Sequence, residues 1–150
     1  MGSFQADYVS DRGGLVDLTN FPKQTKFRKP GEIGNCWQYC LAYILKLDPT
    51  EVPHFLEESI KNHSHFESDV QKWLNKLGYW MASADHFLFY RESGVEHPHT
   101  ICSGPSSRSE RMGHNHAVVY NSGRVVYDPH PDETGLTAIT EEYLIFRAVR

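Results

Sequence analysis

Apolar residues recur with helical spacing in the first half of the chain and alternate with polar ones in the second. Between Asn35 and Leu47, Trp37, Cys40, Leu41, Ile44 and Leu47 fall at i, i+3, i+4, i+7 and i+10, one face of a helix. Tyr39, Ala42, Tyr43 and Leu45 add apolar surface on other sides, which predicts a helix buried on most faces. Asp48-Pro49 is its expected stop, because proline disfavours helical geometry in the residue before it. Thr50–Phe55 reads as one short turn around Pro53. A second helix is expected from Phe66 or Ser68 to Leu77, with Val70, Trp73, Leu74 and Leu77 on its buried face. Ser68 and Gln71 have capping-box spacing, and Gly78 suits a C-terminal stop.

Beyond Gly78 the period changes to two. Tyr79–Ala84, Phe87–Arg91, His99–Ser103, His116–Tyr120, Arg124–Tyr127 and Tyr143–Val149 are the expected strands. Asn121-Ser122-Gly123 is a short hairpin connection. Ser103–Gly113 and Asp128–Gly135 read as loops, and residues 1–31 as a loop-rich arm with a short strand at Leu15–Leu18. Helices first and a mostly antiparallel sheet of about five strands after them mean an α+β fold. At 150 residues the chain is expected to form one domain, 1–150, with 1–23 mostly irregular.

A net charge of −4 argues against a dedicated nucleic-acid binder, and no apolar run is long enough to span a bilayer. No charged segment followed by an apolar core marks a secretory leader, so three free thiols in a reducing, cytoplasmic compartment are expected. Lys23, Lys26, Arg28 and Lys29 form a basic cluster, either a solvated loop or a contact for an anionic substrate.

Chemistry concentrates at three places. Cys36 stands where the loop Pro30–Asn35 meets the first turn of the buried helix. A helix start carries partial positive charge and free N–H groups, which favour a thiolate and can face a developing oxyanion. The bland alternative is that Cys36 is a small buried hydrophobe, which is the expectation for Cys40 one turn further in. His116 opens one strand and Asp128 follows the next, so a hairpin can bring the two together. Cys36, His116 and Asp128 then have the order of a nucleophile, a base and an orienting acid. The third place is the polar segment Gly104–Arg111, with Ser106, Ser107, Arg108, Ser109 and Arg111, which is either a surface loop or a carboxylate or phosphate contact.

A metal reading competes with the thiol one. His114-x-His116 and Asp128-x-His130 have ligand spacing, with Cys36 as a further donor. Such a site would make a metal-dependent hydrolase of His114, His116 and Asp128. His63-x-His65 and His97-x-His99 read as loop residues, and Trp37, Trp73 and Trp80 as core.

Gly34-Asn35-Cys36-Trp37 resembles the segment around the nucleophile of papain-like cysteine peptidases. The run from Gly34 to Leu47 with Glu51–Phe55, the segment Gly104–Ser109, and His116–Pro131 together resemble small papain-like proteins of phages and bacteria. The resemblance covers about Gln24 to Leu136 and extends to the C39-like and NlpC/P60-like groups. It implies a papain-like domain in which Cys36 is the nucleophile, His116 the base and Asp128 the orienting acid. The substrate would be a peptide, an amide or another acyl donor, with no cofactor, and one setting would be phage-encoded action in a host cytoplasm. Papain-like peptidases carry a glutamine about six residues before the cysteine for the oxyanion hole, and Pro30 occupies that position here. Gln24 and Asn35 are the side-chain candidates in its place, with Trp37 and Arg108 as further substrate contacts. A papain-like scaffold retained as a catalytically silent binding module is the remaining alternative.

Overall fold

The computed structural model describes residues 7–9, 15–83, 99–108 and 115–147. Strands β1 (Asp7–Val9) and β2 (Leu15–Asp17) pair with each other in a small antiparallel ladder. Helices α1 (Cys36–Leu45), α2 (Phe55–Asn62) and α3 (Phe66–Lys76) follow. Then come β3 (Tyr79–Ser83), β4 (His99–Gly104), β5 (His116–Asn121), β6 (Arg124–Tyr127) and β7 (Glu141–Arg147). The last five strands form one antiparallel sheet in the order β3-β7-β4-β5-β6. The protein is therefore α+β, with three helices packed on a five-stranded antiparallel sheet. The expected strand Phe87–Arg91 lies outside the described residues.

The core lies where α1 meets the centre of the sheet. Cys40, Leu41 and Ala42 are fully enclosed, as are Ile101 on β4 and Val119 on β5. Helix α1 ends earlier than the proline predicts. Lys46 takes the left-handed conformation at φ 58°, and the Leu47 N–H donates back to Ala42 O at 2.9 Å. This closed turn stops the helix and folds Leu47 into the core, so the chain leaves the helix before Asp48 is reached. Asp48-Pro49 instead starts a single 3₁₀ turn, Pro49–Glu51, with the Asp48 carboxylate accepting from the Thr50 N–H.

The short turn expected near Thr50–Phe55 is this 3₁₀ turn, and a complete helix, α2, follows it over residues where no element is predicted. It buries little beyond Phe55 and Ser59, so its apolar stripe is too narrow to read. The box Ser68–Gln71 does not form, since His65 is the N-cap of α3. Gln71 instead donates to Met81 O at 2.7 Å and accepts from Met81 N at 2.9 Å, which locks α3 to β3. Trp80 is 45% exposed on the edge strand β3, not in the core. The N-terminal arm also has more structure than expected. Beyond the β1–β2 ladder, Leu18 and Phe21 are buried, and the Phe21 ring meets Tyr43 and Tyr127 edge-on.

Gly104 closes β4 opposite His116 in the register. A Cβ built there would lie 2.0 Å from Ala138 O, a backbone atom that cannot swing aside. Gly104→Ala is expected to push the 138–140 segment off β4 and lower stability by about 1–3 kcal/mol, the usual range for overpacking. Urea unfolding checks this, and an unchanged midpoint would contradict it.

Candidate active site

The loop before α1 is held by the residue that caps it. Asn35 Oδ1 accepts from Lys26 N at 3.0 Å, and Nδ2 donates to Thr25 Oγ1 at 3.1 Å and Gln38 Oε1 at 3.4 Å. The Asn35 N–H donates to Lys26 O at 3.2 Å. Asn35 thus ties the 24–27 segment to the helix start. Its amide is engaged there, and it does not line either cavity beside the thiol. Gly34 is needed for close approach rather than for a tight turn, because a Cβ there would meet Arg28 N at 3.3 Å. Cys36 follows as the first residue of α1, half-buried.

His116 and Asp128 meet across the β5–β6 hairpin. The turn residues Ser122 and Gly123 both have positive φ, as a tight two-residue hairpin requires. A register shift between Val119 and Tyr120 moves β6 by one residue against β5. Continued one pair past Val119–Tyr127, that register sets Asp128 opposite Val118, on the face of the sheet that carries His116. The outcome is a 2.7 Å hydrogen bond from His116 Nε2 to Asp128 Oδ1, with His116 5% and Asp128 4% exposed. The acid is fixed from behind. Its Oδ1 also accepts from His130 N at 3.0 Å, and its Oδ2 accepts from Gly135 N at 2.8 Å.

Burial pulls the His116 pKa down, but hydrogen bonds to Asp128 and Cys36 outweigh it and raise the value to about 9. Burial likewise pushes the Asp128 carboxyl up, and the bonds from His116 and from the His130 and Gly135 N–H groups bring it below the usual carboxylate range. With Nε2 on Asp128, Nδ1 is the nitrogen left for Cys36. The other two thiols are of a different kind. Burial raises Cys40 well above an ordinary thiol and Cys102 to about 11, and Cys40 Sγ donates to Ala117 O at 3.5 Å.

Cys36 and His116 line two spaces at once. One is an open cleft of about 840 Å³ whose apolar wall includes Trp37, Leu56, Ile60 and Phe66. Trp37 meets Phe66 and Tyr143 edge-on, which makes it a wall as well as a core residue. The other is a small cavity of about 120 Å³, lined by Gln24 and Arg108 among others. Gln24 is 7% exposed. Its backbone N–H donates to Pro129 O and its Nε2 to Lys26 O, both at 2.8 Å. Arg108 Nη1 reaches both Asp132 carboxylate oxygens at 2.7 Å and Thr134 Oγ1 at 2.8 Å. His114 lies outside the described residues, and among those described no group of three His, Cys, Asp or Glu side chains is placed to hold a metal. Sequence reasoning misses Leu56 and Ile60, because they sit on the helix it does not foresee.

Set beside protein-family models, curated proteins and solved structures, the chain matches none.

The pair leaves a pH signature. His116 is raised on folding, so its contribution to stability is complete below about pH 6.5, the unfolded histidine value. It is lost as pH rises through about 9. Asp128 is lowered, so its contribution is present above the ordinary aspartate value and lost in acid. Asp128→Asn is expected to return the His116 titration toward an ordinary histidine value, read by NMR of the imidazole. A His116 titration that stays near 9 in the variant would contradict this assignment.

Proposed function

We propose that this chain is a papain-like cysteine hydrolase or acyltransferase that attacks amide, peptide, isopeptide or thioester carbonyls. The observation that carries the reading is the placement of His116. Its Nε2 is bound to a buried carboxylate, and it lines the same two spaces as the half-buried thiol at the start of α1. A histidine raised to about 9 is an imidazolium at neutral pH, which suits an ion pair with a Cys36 thiolate.

Cys36 Sγ attacks the carbonyl carbon, and the C=O electrons move onto oxygen. The Cys36 N–H, free at the helix start, and the second N–H of Gln24 Nε2 are the donors available to that oxyanion. The oxyanion collapses and the bond to the leaving group breaks. His116 Nδ1 gives its proton to the leaving nitrogen or sulfur, and an acyl thioester remains on Cys36. His116 then takes a proton from water or an amine, which attacks the thioester and regenerates the thiol. Asp128 keeps the ring oriented and supports its charged form throughout. No cofactor enters this cycle, and a cytoplasmic setting would keep the thiol reduced.

Alkylation by iodoacetamide, located by mass spectrometry, reads the nucleophile. Cys36 is expected to react well below pH 7 while Cys40 and Cys102 stay unlabelled. His116→Ala is expected to slow the reaction at Cys36 at least about tenfold in that range. Ordinary slow labelling that His116→Ala does not change would overturn the proposal. A second readout is acylation by p-nitrophenyl acetate, which Gln24→Ala is expected to slow by about 10²-fold or more.

A further inference from the structure

The two spaces beside Cys36 are chemically unlike. The large cleft, about 840 Å³, offers an apolar wall that includes Leu56, Ile60 and Phe66. The small cavity is lined by Gln24, Phe27, Arg28, Ser106, Arg108 and His130, together with the residues it shares with the cleft, and none of them is acidic. Arg28 lines both spaces, and its guanidinium has no ion-pair partner among the described residues. Among the described residues, Arg108 is oriented by Asp132 and Thr134 through Nη1 alone. A guanidinium has five N–H groups in a fixed fork, so Arg108 keeps donors for a second acceptor. The His116 charge is balanced by Asp128 at 2.7 Å, so the two arginines carry the positive character of the cavity. Burial and the Arg108 charge together hold His130 below its ordinary value, so it stays neutral and adds no charge of its own.

The lining narrows the occupant. This is the smaller of the two spaces, about 120 Å³ against about 840 Å³, and two arginines border it with no acid among its lining residues. That suits the charged end of a substrate, with the longer acyl part in the cleft. We propose that this cavity is an anion subsite for the free carboxylate of a C-terminal residue, so that the substrate is an acylated amino acid or a peptide cut at its last amide bond. The assignment rests on Cys36 being the nucleophile. The acyl part then lies along the cleft, its side chain against Leu56, Ile60 and Phe66. In the reaction the Cys36 Sγ–C bond forms and the last C–N bond breaks. The His116 proton goes to the departing nitrogen, the residue leaves as a free amino acid, and water hydrolyses the thioester.

The test compares two alkylating agents of nearly equal size, iodoacetate and iodoacetamide, at Cys36, with glutathione as the reference thiol. The arginine variants decide. Arg28→Gln and Arg108→Gln are each expected to lower the iodoacetate-to-iodoacetamide rate ratio by about tenfold or more, the weight of a charge-assisted contact. Arg28→Lys, which keeps the charge, is expected to retain most of the ratio and controls for misfolding. N-acetylglycine is expected to slow iodoacetamide labelling of Cys36 in the native protein, and N-acetylglycinamide is not. A ratio that neither glutamine variant changes, or equal protection by acid and amide, overturns the subsite. The iodoacetamide rate of the native protein reads the nucleophile separately. A slow rate there removes the nucleophile reading, whereas an insensitive ratio removes the anion subsite alone.

Discussion

A hydrogen bond of 2.7 Å between two nearly enclosed groups, His116 and Asp128, sets what the surrounding structure must do. Taking a carboxylate and an imidazolium out of water costs several kcal/mol per ion unless each remaining polar site is met. The loop after β6 meets them by folding back on its own acid, with the His130 and Gly135 N–H groups on the two carboxylate oxygens. The backbone there is tied to the arm before α1. Lys23 Nζ donates to Asp128 O at 2.7 Å, and Gln24 N donates to Pro129 O. Two residues on, Lys26 is bound to Asn35 through both its N–H and its carbonyl. One continuous strap therefore runs from the acid to the thiol, and it passes Gln24 on the way.

The sheet supplies the other constraint. Helix α1 packs on β5, where Cys40 Sγ lies on the Ala117 carbonyl. One helical turn back, about 5.4 Å along the axis, is Cys36, and one residue back along β5 is His116. Packing of an inert buried thiol thus registers the half-buried one against the histidine. Helix and strand are each held by core residues, Leu41 on one and Val119 on the other, so the alignment depends on apolar packing and not on Cys36 and His116 themselves. Site geometry built on rigid elements tolerates the desolvation that the pair requires.

This division explains what can be read from the chain. Helix α1, the β5–β6 hairpin and the meeting of His116 with Asp128 are legible, because each depends on near neighbours: an apolar stripe, turn residues, and two strand ends. The stop of α1 is not, since the left-handed cap falls on Lys46, where glycine would be the usual sign. Helix α2 is not, because its buried face is little more than Phe55 and Ser59. The duties of Asn35 and Gln71 are also out of reach. Both side chains have the composition of local caps but bond to segments that arrive from elsewhere in the chain. The register shift in β5–β6 carries no glycine to announce it, although the placement of Asp128 depends on it.

Charge shows the same separation of local from global. The chain as a whole is acidic, at −4, which speaks about long-range attraction to polyanions. It says nothing about a cavity of about 120 Å³. There, Arg108 is positioned by Asp132, and Asp132 is not among the residues that line the cavity. An acid so placed stiffens the fork without filling the space in front of it, much as Asp128 orients His116 without reaching Cys36. Asp128 and Asp132 of the 128–135 loop thus act in parallel, one on His116 and one on Arg108. A single short loop, anchored by Lys23 and Gln24, carries the orientation of both.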